Sequence, residues 1–203
     1  EVVMTVRSPI ASFWRTETFD VWDGSAWTRS DDGARLLADG VVEPSPEDVA
    51  AARGDESTQE FRIEIGYATA VPSAPSAVQV ESPFELAQRE DGTLSSPIEP
   101  MGNGTVYTVT SRQVDATPEL LAAAGDEEVP PGILERYAEP PIATERVREL
   151  ATQITAGAGT DQQRVQRIED WLDTNTEYSQ DAPLSPQGVD VVDHFLFTAR
   201  QGW

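Results

Sequence analysis

The stretch Asp190-Val-Val-Asp-His-Phe-Leu-Phe-Thr-Ala-Arg-Gln-Gly-Trp203 decides how we interpret the rest of the chain. Asp190 suits the N-cap of a short helix, because its carboxylate can accept a hydrogen bond from a backbone N–H of the first turn. The apolar cluster at residues 195–197 follows, and Gly202 suits a tight turn at the end of the helix. Since chain termini are usually frayed and polar, we expect the natural chain to continue beyond Trp203.

Two amphipathic helices are predicted before this stretch, at residues 144–156 and 161–174. In the first, one apolar face is formed by Val147, Leu150, Ala151 and Ile154. Glycine at positions 157 and 159 ends it. Thr160 and Gln163 form a capping box for the second helix. Its predicted inward-facing residues are Val165, Ile168 and Leu172, with Trp171 beside them.

The first half of the chain is predicted to be β-rich. Residues 59–65 alternate polar and apolar side chains, as in a half-buried strand. Shorter strand candidates lie at residues 2–7, 67–71, 77–80, 84–88, 92–94 and 105–111. Strands at this spacing indicate an antiparallel β-sandwich or barrel. Residues 29–57 are predicted to be a surface excursion with a short helix at 46–53. The predicted fold is therefore α+β.

We predict three parts along the chain. Residues 1–116 form the β-rich accessory domain, residues 117–141 form a proline-rich connector, and residues 142–203 form a helical segment. The boundary near residue 116 is where strand patterns give way to helical ones.

An aromatic block at residues 13–27 contains three of the five tryptophans, Trp14, Trp22 and Trp27. Asp23-Gly24 supplies turn chemistry, which predicts a hairpin whose aromatic side chains anchor a β core. The alternative is a groove that binds carbohydrate or peptide. The carboxylates at positions 20, 23, 31 and 32 lack the spacing of a calcium loop, so we interpret them as turn residues.

Asn103-Gly-Thr105 is a glycosylation sequon, so Asn103 is a candidate modification site on an extracellular surface. Asn-Gly is also a strong hairpin-turn signal, and turn chemistry explains it without a glycan.

The charge is strongly negative: 36 acidic residues oppose 14 basic ones, for a net charge of −22. Every basic residue is arginine. A lysine-free, evenly acidic surface suits molar salt, where the screening length falls to about 3 Å, so we predict an extremely halophilic source. The alternative is a GC-rich genome that favours arginine codons, with a protein that is merely acidic. The same charge argues against nucleic acid as a partner, because its phosphates would be repelled.

The chain contains no cysteine, which excludes disulfides, thiolate metal sites and a thiol nucleophile within these residues. Its single histidine, His194, has no second ligand or nucleophile nearby in sequence, and we interpret it as structural. We therefore predict no catalytic residue, metal or cofactor. No apolar run approaches the roughly 18–20 residues that span a membrane.

Three motifs resemble those of microbial transglutaminase-like membrane proteins. The block at 14–27 is similar to the family's W-R-x-x-T-F-D-x-(aromatic)-D-G-x-x-W pattern. Trp171, Leu172, Asn175 and Tyr178 match W-L-x-x-N-x-x-Y. The final stretch is similar to D-x-V-D-x-F-L-F-x-x-R-x-G-(aromatic), which in the family directly precedes the catalytic cysteine.

This resemblance implies that residues 1–203 end just before the nucleophile of a Cys-His-Asp acyltransferase or peptidase. The implied histidine and aspartate would also lie beyond Trp203. The resemblance further implies substrates among proteins or cell-envelope polymers, a location at the extracellular face of the membrane, and membrane spans outside these residues. This chain itself would be catalytically inactive. The alternative is a β-sandwich binding or scaffold module at the cell surface with no enzymatic role.

Overall fold

The computed structural model describes residues 2–30, 33–45, 54–66, 69–113, 117–123, 129, 131–138 and 142–202. In chain order the elements are β1 (Met4–Arg7), β2 (Val21–Trp22), β3 (Trp27–Thr28), β4 (Arg35–Leu36), β5 (Asp55–Ile63), β6 (Ala70–Val71), β7 (Ala77–Glu81), β8 (Ala87–Gln88), β9 (Leu94–Ser95), β10 (Val106–Gln113), α1 (Pro118–Ala123), α2 (Pro131–Tyr137), α3 (Glu145–Thr155), α4 (Asp161–Asn175), β11 (Glu177–Tyr178), α5 (Val191–His194), a π-helical segment (Phe195–Ala199) and β12 (Gln201–Gly202).

The chain divides into two compact units. The first unit comprises Glu1–Phe19, Arg29–Asp115 and Pro130–Arg136. The second unit comprises Asp20–Thr28, Ala116–Val129 and Tyr137–Trp203. The chain thus passes between the units more than once. The linear boundaries at residues 116 and 141 stay a prediction.

The first unit contains two antiparallel four-stranded sheets, in the orders β1-β5-β10-β7 and β4-β8-β9-β6. The helices follow these sheets in the sequence, so the expected α+β class is confirmed. The two longest strands, β5 and β10, pair side by side with Phe61 opposite Tyr107. The helix predicted at residues 46–53 lies outside the described residues.

Alternation in β5 explains where the core of the first unit forms. Gln59, Phe61 and Ile63 all point inward, while the residues between them face solvent. Successive side chains of a strand point to opposite faces, so this pattern requires one buried face. The strand begins at Asp55, four residues before the start of the predicted alternation. Its polar first half pairs with β10 through the backbone, which side-chain patterns do not reveal.

Aromatic rings form the centre of that core. Phe61 stacks on Tyr107 with ring centroids 5.2 Å apart, and Trp14 meets Phe61 edge-on at 5.3 Å. The Tyr107 hydroxyl donates to the carbonyl of Pro72 at 2.6 Å, which satisfies its buried polar end. Burial also raises the pKa of Tyr107 well above its ordinary value.

The aromatic block does not anchor the β core as one piece. Trp14 packs against the core of the first unit, whereas the hairpin β2–β3, with Trp22 and Trp27, belongs to the second unit. Phe13 is 91% exposed. The hairpin itself and its turn at Asp23-Gly24 form as the sequence predicts. Its assignment to another unit is a tertiary effect, since local turn chemistry does not choose a packing partner.

The helices of the second unit begin and end close to the predicted positions. Thr160 Oγ1 accepts a hydrogen bond from Gln163 N at 3.2 Å. The Gln163 side chain accepts from Gly159 N at 2.8 Å, one residue before the usual partner in a capping box. Gly157 has φ +76° just after α3, as expected of a residue that ends a helix.

The apolar face of α4 differs from the prediction. Val165 is 55% exposed and Ile168 is also exposed, whereas Leu172 and Trp171 are half-buried. Residues 163–170 of this helix are all exposed, although α3 contacts α4. Spacing predicts a face correctly but does not guarantee that another element packs against it. Among the described residues, no helix is long and apolar enough to cross a membrane.

Candidate functional site

A groove of about 1050 Å³ lies within the second unit. Its walls come from the hairpin β2–β3, the last turn of α4, β11, the loop at residues 182–185, α5 with the π-helical segment, and β12. Pockets of this volume, with aromatic lining and a few polar groups, are the usual form of ligand sites. It is therefore the candidate functional site of the second unit.

The hairpin wall is held by a tight turn. The Asp23 carboxylate accepts from the backbone N–H groups of Ser25 and Ala26, both at 2.8 Å, and from the Ser25 hydroxyl at 2.9 Å. These hydrogen bonds, led by the one from Ala26, lower the pKa of Asp23. Gly24 supplies the positive φ of +95° that the turn requires.

The two tryptophans of the hairpin form a pair at the groove. Trp22 and Trp27 have ring centroids 5.4 Å apart and an interplanar angle of 46°. Trp22 Nε1 donates to the carbonyl of Ile142 at 3.3 Å, which fixes the orientation of its indole. Trp27 is 57% exposed. The ring of Trp27 is therefore accessible from the groove, whereas the indole of Trp22 is held in place by its hydrogen bond.

Another part of the groove wall comes from residues 191–202, near the C-terminal end of the sequence. Asp190 caps α5 as predicted, its Oδ1 accepting from Asp193 N at 2.8 Å. The helix then widens to a π-helical segment and ends at Arg200, which has a left-handed φ of 52°. A side chain in this region costs about 1–2 kcal/mol. π-helical turns and such strained residues are common at functional sites.

Gly202 does not form the predicted turn. It lies in β12, which pairs in parallel with β11: Glu177 N donates to Arg200 O at 2.9 Å and Ser179 N to Gly202 O at 2.7 Å. A Cβ at Gly202 would lie 3.0 Å from Cε2 of Phe195. A Cβ at this position would crowd the Phe195 ring, so glycine suits the close approach, while the chain reverses at Arg200.

Asp193 ties this wall to the start of α3. Its carboxylate accepts from the Thr144 hydroxyl and from Arg146 Nε, both at 2.6 Å, and from Arg146 Nη2. The hydrogen bonds from Arg146 and then Thr144 lower the pKa of Asp193 to about 2, although burial opposes the shift. The Arg146 guanidinium also lies 4.4 Å from the centroid of the Phe197 ring. The sequence analysis did not predict this contact, although an acidic residue within a largely apolar run, here Asp193, can indicate a buried ion pair.

His194 lines the groove, and its Nε2 is buried without a hydrogen-bond partner in the part of the chain that the structure describes. Within the same described ranges, no group of three or more His, Cys, Asp or Glu side chains could hold a metal ion. The structural role expected for His194 stays a prediction.

The other sequence candidates are separated by the fold. Trp14 belongs to the core of the first unit, and only Trp22 and Trp27 lie at the groove. Asn103 occupies a turn in the first unit, where its Nδ2 donates to Glu64 O at 2.6 Å. Nδ2 is the atom that would carry a glycan, and modification of Asn103 stays a prediction.

Residues 1–118 match the sequence profile of the TgpA N-terminal domain. The chain belongs to this family. Residues 148–202 match the transglutaminase-like superfamily, so part of a transglutaminase-like core is present, without a cysteine. The resemblance drawn from the sequence motifs is therefore confirmed.

The chain is also similar to a curated protein and to two crystal structures. YebA, an uncharacterized protein of Bacillus subtilis (strain 168), is 26% identical over 216 residues, covering 99% of this chain and 29% of YebA. Crystal structures of the periplasmic domain of TgpA from Pseudomonas aeruginosa, one bound to ethylmercury, share the fold with a TM-score of 0.64 at 20% identity. The match covers all of this chain and 67% or 66% of the crystallised chains. This chain thus spans under a third of YebA.

Proposed function

We propose that this chain is the extracytoplasmic, non-catalytic leading part of a thiol acyltransferase or cysteine peptidase, and that the groove of the second unit is its substrate approach. The observation that carries the proposal is the position of β12 on the groove wall. In the resembling enzymes, the segment equivalent to β12 directly precedes the nucleophile. A cysteine after Trp203 would therefore follow from a strand that already borders the groove.

The chemistry of such an enzyme is nucleophilic attack by a thiolate, with a histidine as general base. This chain supplies none of these groups, since it has no cysteine and His194 precedes the nucleophile position. Its part is to shape the groove and to fix β12 through the Asp193 contacts. The similar crystal structures are of a periplasmic domain, which supports an extracytoplasmic location for this chain, at the outer face of the membrane. The net charge of −22 favours protein or neutral envelope polymers over polyanions.

The test is an activity assay on a longer form of the protein that includes the first cysteine after Trp203. We expect thiol-dependent amidase or cross-linking activity that is abolished when this cysteine is replaced by serine. Absence of activity in both forms on protein and envelope substrates would contradict the proposal. The residue that follows Trp203 is itself informative, because any residue other than cysteine would favour a non-catalytic relative.

The accessible face of Trp27 favours a second candidate, a binding module at the cell surface. In that case the 203-residue chain would sediment with isolated cell envelopes and Trp27→Ala would abolish this, without any covalent product. Unchanged sedimentation of Trp27→Ala would contradict it.

A further inference from the structure

The groove carries negative charge that no described residue neutralises. Asp173, in the last turn of α4, and Glu177, at the start of β11, both line it. Both side chains are exposed, and neither has an ion pair or a side-chain hydrogen bond within the described ranges. Among the described residues that line the groove, there is no arginine. The local field at the groove therefore favours a positively charged group.

The position of these carboxylates adds to the field. The C-terminal end of a helix carries partial negative charge, so acidic side chains are disfavoured there and basic ones favoured. The last turn of α4 nevertheless has no basic residue, and it includes Asp173. A bound cation would relieve this electrostatic cost.

Aromatic faces accompany the charge. Trp27 and Tyr178, which is 72% exposed, line the same groove. A guanidinium is planar, stacks on aromatic rings and donates to carboxylates in a fork, whereas an ammonium group is a compact, strongly hydrated charge. The combination of carboxylates and accessible rings thus suits arginine better than lysine.

The size of the groove indicates a peptide rather than a small cation. The volume of about 1050 Å³ far exceeds one side chain.

We propose that the groove binds an extended segment of a protein substrate through an arginine side chain, with the guanidinium held by Asp173 and Glu177 against the rings of Trp27 and Tyr178. The proposal rests on the proposed role of the groove as a substrate approach, and it specifies the substrate class.

The test measures binding of short peptides to the 203-residue chain by tryptophan fluorescence and calorimetry in low salt. The probe is acetyl-Gly-Ala-Arg-Ala-Gly-amide, compared with the same peptide carrying citrulline, a neutral isostere of arginine. We expect the citrulline peptide to bind about fivefold more weakly, as loss of two exposed ion pairs predicts. The double variant Asp173→Asn/Glu177→Gln should weaken the arginine peptide by about the same factor and leave the citrulline peptide unchanged.

The matched control is Glu149→Gln/Glu169→Gln, which makes the same charge change on exposed positions of α3 and α4 outside the groove. It should change the affinity by less than about twofold, because distant surface charges are screened. Equal binding of the two peptides to the unmodified chain would overturn the proposal. So would equal weakening by both double variants, or occupation of the groove by a second copy of the chain, detected as concentration-dependent sedimentation.

These outcomes are separate from those of the activity assay. A longer protein with thiol-dependent activity but no preference for arginine would keep the proposed function and remove this inference. Arginine-selective binding without activity would keep this inference and remove the proposed function.

Discussion

The two units are stabilised in different ways. Every buried hydrophobic residue among the described ranges lies in the first unit, including Phe61, Val71, Leu94, Tyr107 and Val109. In the second unit, Asp193 is the one described residue that is buried. The first unit thus depends on apolar burial, and the second on half-buried packing and a few polar contacts. The difference shows that a sequence can have the apolar spacing of an amphipathic helix although no fully buried core forms against that helix.

The largest expected effect of a single substitution is in the core of the first unit. Phe61→Ala removes a fully buried ring that contacts Tyr107 and Trp14, and we expect a loss of about 3–5 kcal/mol in the free energy of unfolding. Urea denaturation followed by far-UV circular dichroism measures it. The matched control, Phe13→Ala, removes an exposed ring and should change stability by less than about 0.5 kcal/mol. Equal effects would show that the core lies elsewhere.

Added salt should stabilise both units against unfolding, because acidic residues are spread along the whole sequence. Repulsion in water is about 1 kcal/mol for two charges 4 Å apart, and salt screens the many weaker pairs at longer distances. We therefore expect higher unfolding temperatures at about 2 M than at about 0.1 M salt. Equal unfolding temperatures at both salt concentrations would contradict the halophilic interpretation. An increase confined to one unit would show that charge repulsion destabilises mainly that unit.

Acid should destabilise the second unit through Asp193. Because contacts with Arg146 and Thr144 depress its pKa to about 2, the folded state binds this proton less readily than the unfolded state, whose carboxyl has its ordinary value of 3.8. The stabilisation is complete above about pH 4 and is lost as the pH falls towards 2. Helical circular dichroism between pH 5 and pH 2 measures it.

Asp193→Asn is the control for this pH dependence. The variant should be less stable than the unmodified protein at neutral pH, because the charged partner of Arg146 is gone, and its helical signal should depend less on pH in this window. A pH profile identical to that of the unmodified protein would assign the acid sensitivity to other carboxylates.

The smallest effect is expected on the apolar face of α4. Val165→Ala should change stability by less than about 0.5 kcal/mol because this side chain is 55% exposed. Val109→Ala, the matched change at a fully buried position of β10, should cost about 2 kcal/mol. A comparable cost at Val165 would mean that this face is covered in solution, and the contrast between the units would then disappear.

Much of the local structure could be predicted from the sequence. The caps at Thr160 and Asp190 depend on hydrogen bonds that reach only three residues along the chain, so the local sequence contains both partners. The inward face of β5 follows from alternation, which the pleat of a strand imposes. The candidate site was less predictable, since its walls come from six segments between residues 22 and 202.

What the sequence by itself determined was therefore the set of elements, the α+β class, the acidic surface and the absence of a thiol. Only the tertiary structure decided that the hairpin of Trp22 and Trp27 belongs to the second unit, and that Asp193 is buried against Arg146 from 47 residues earlier. It also decided that Arg200, rather than Gly202, takes the left-handed conformation. The reason is physical. Hydrogen bonds within a turn join residues only a few positions apart, whereas burial and charge pairing depend on which distant segments pack together in the folded chain.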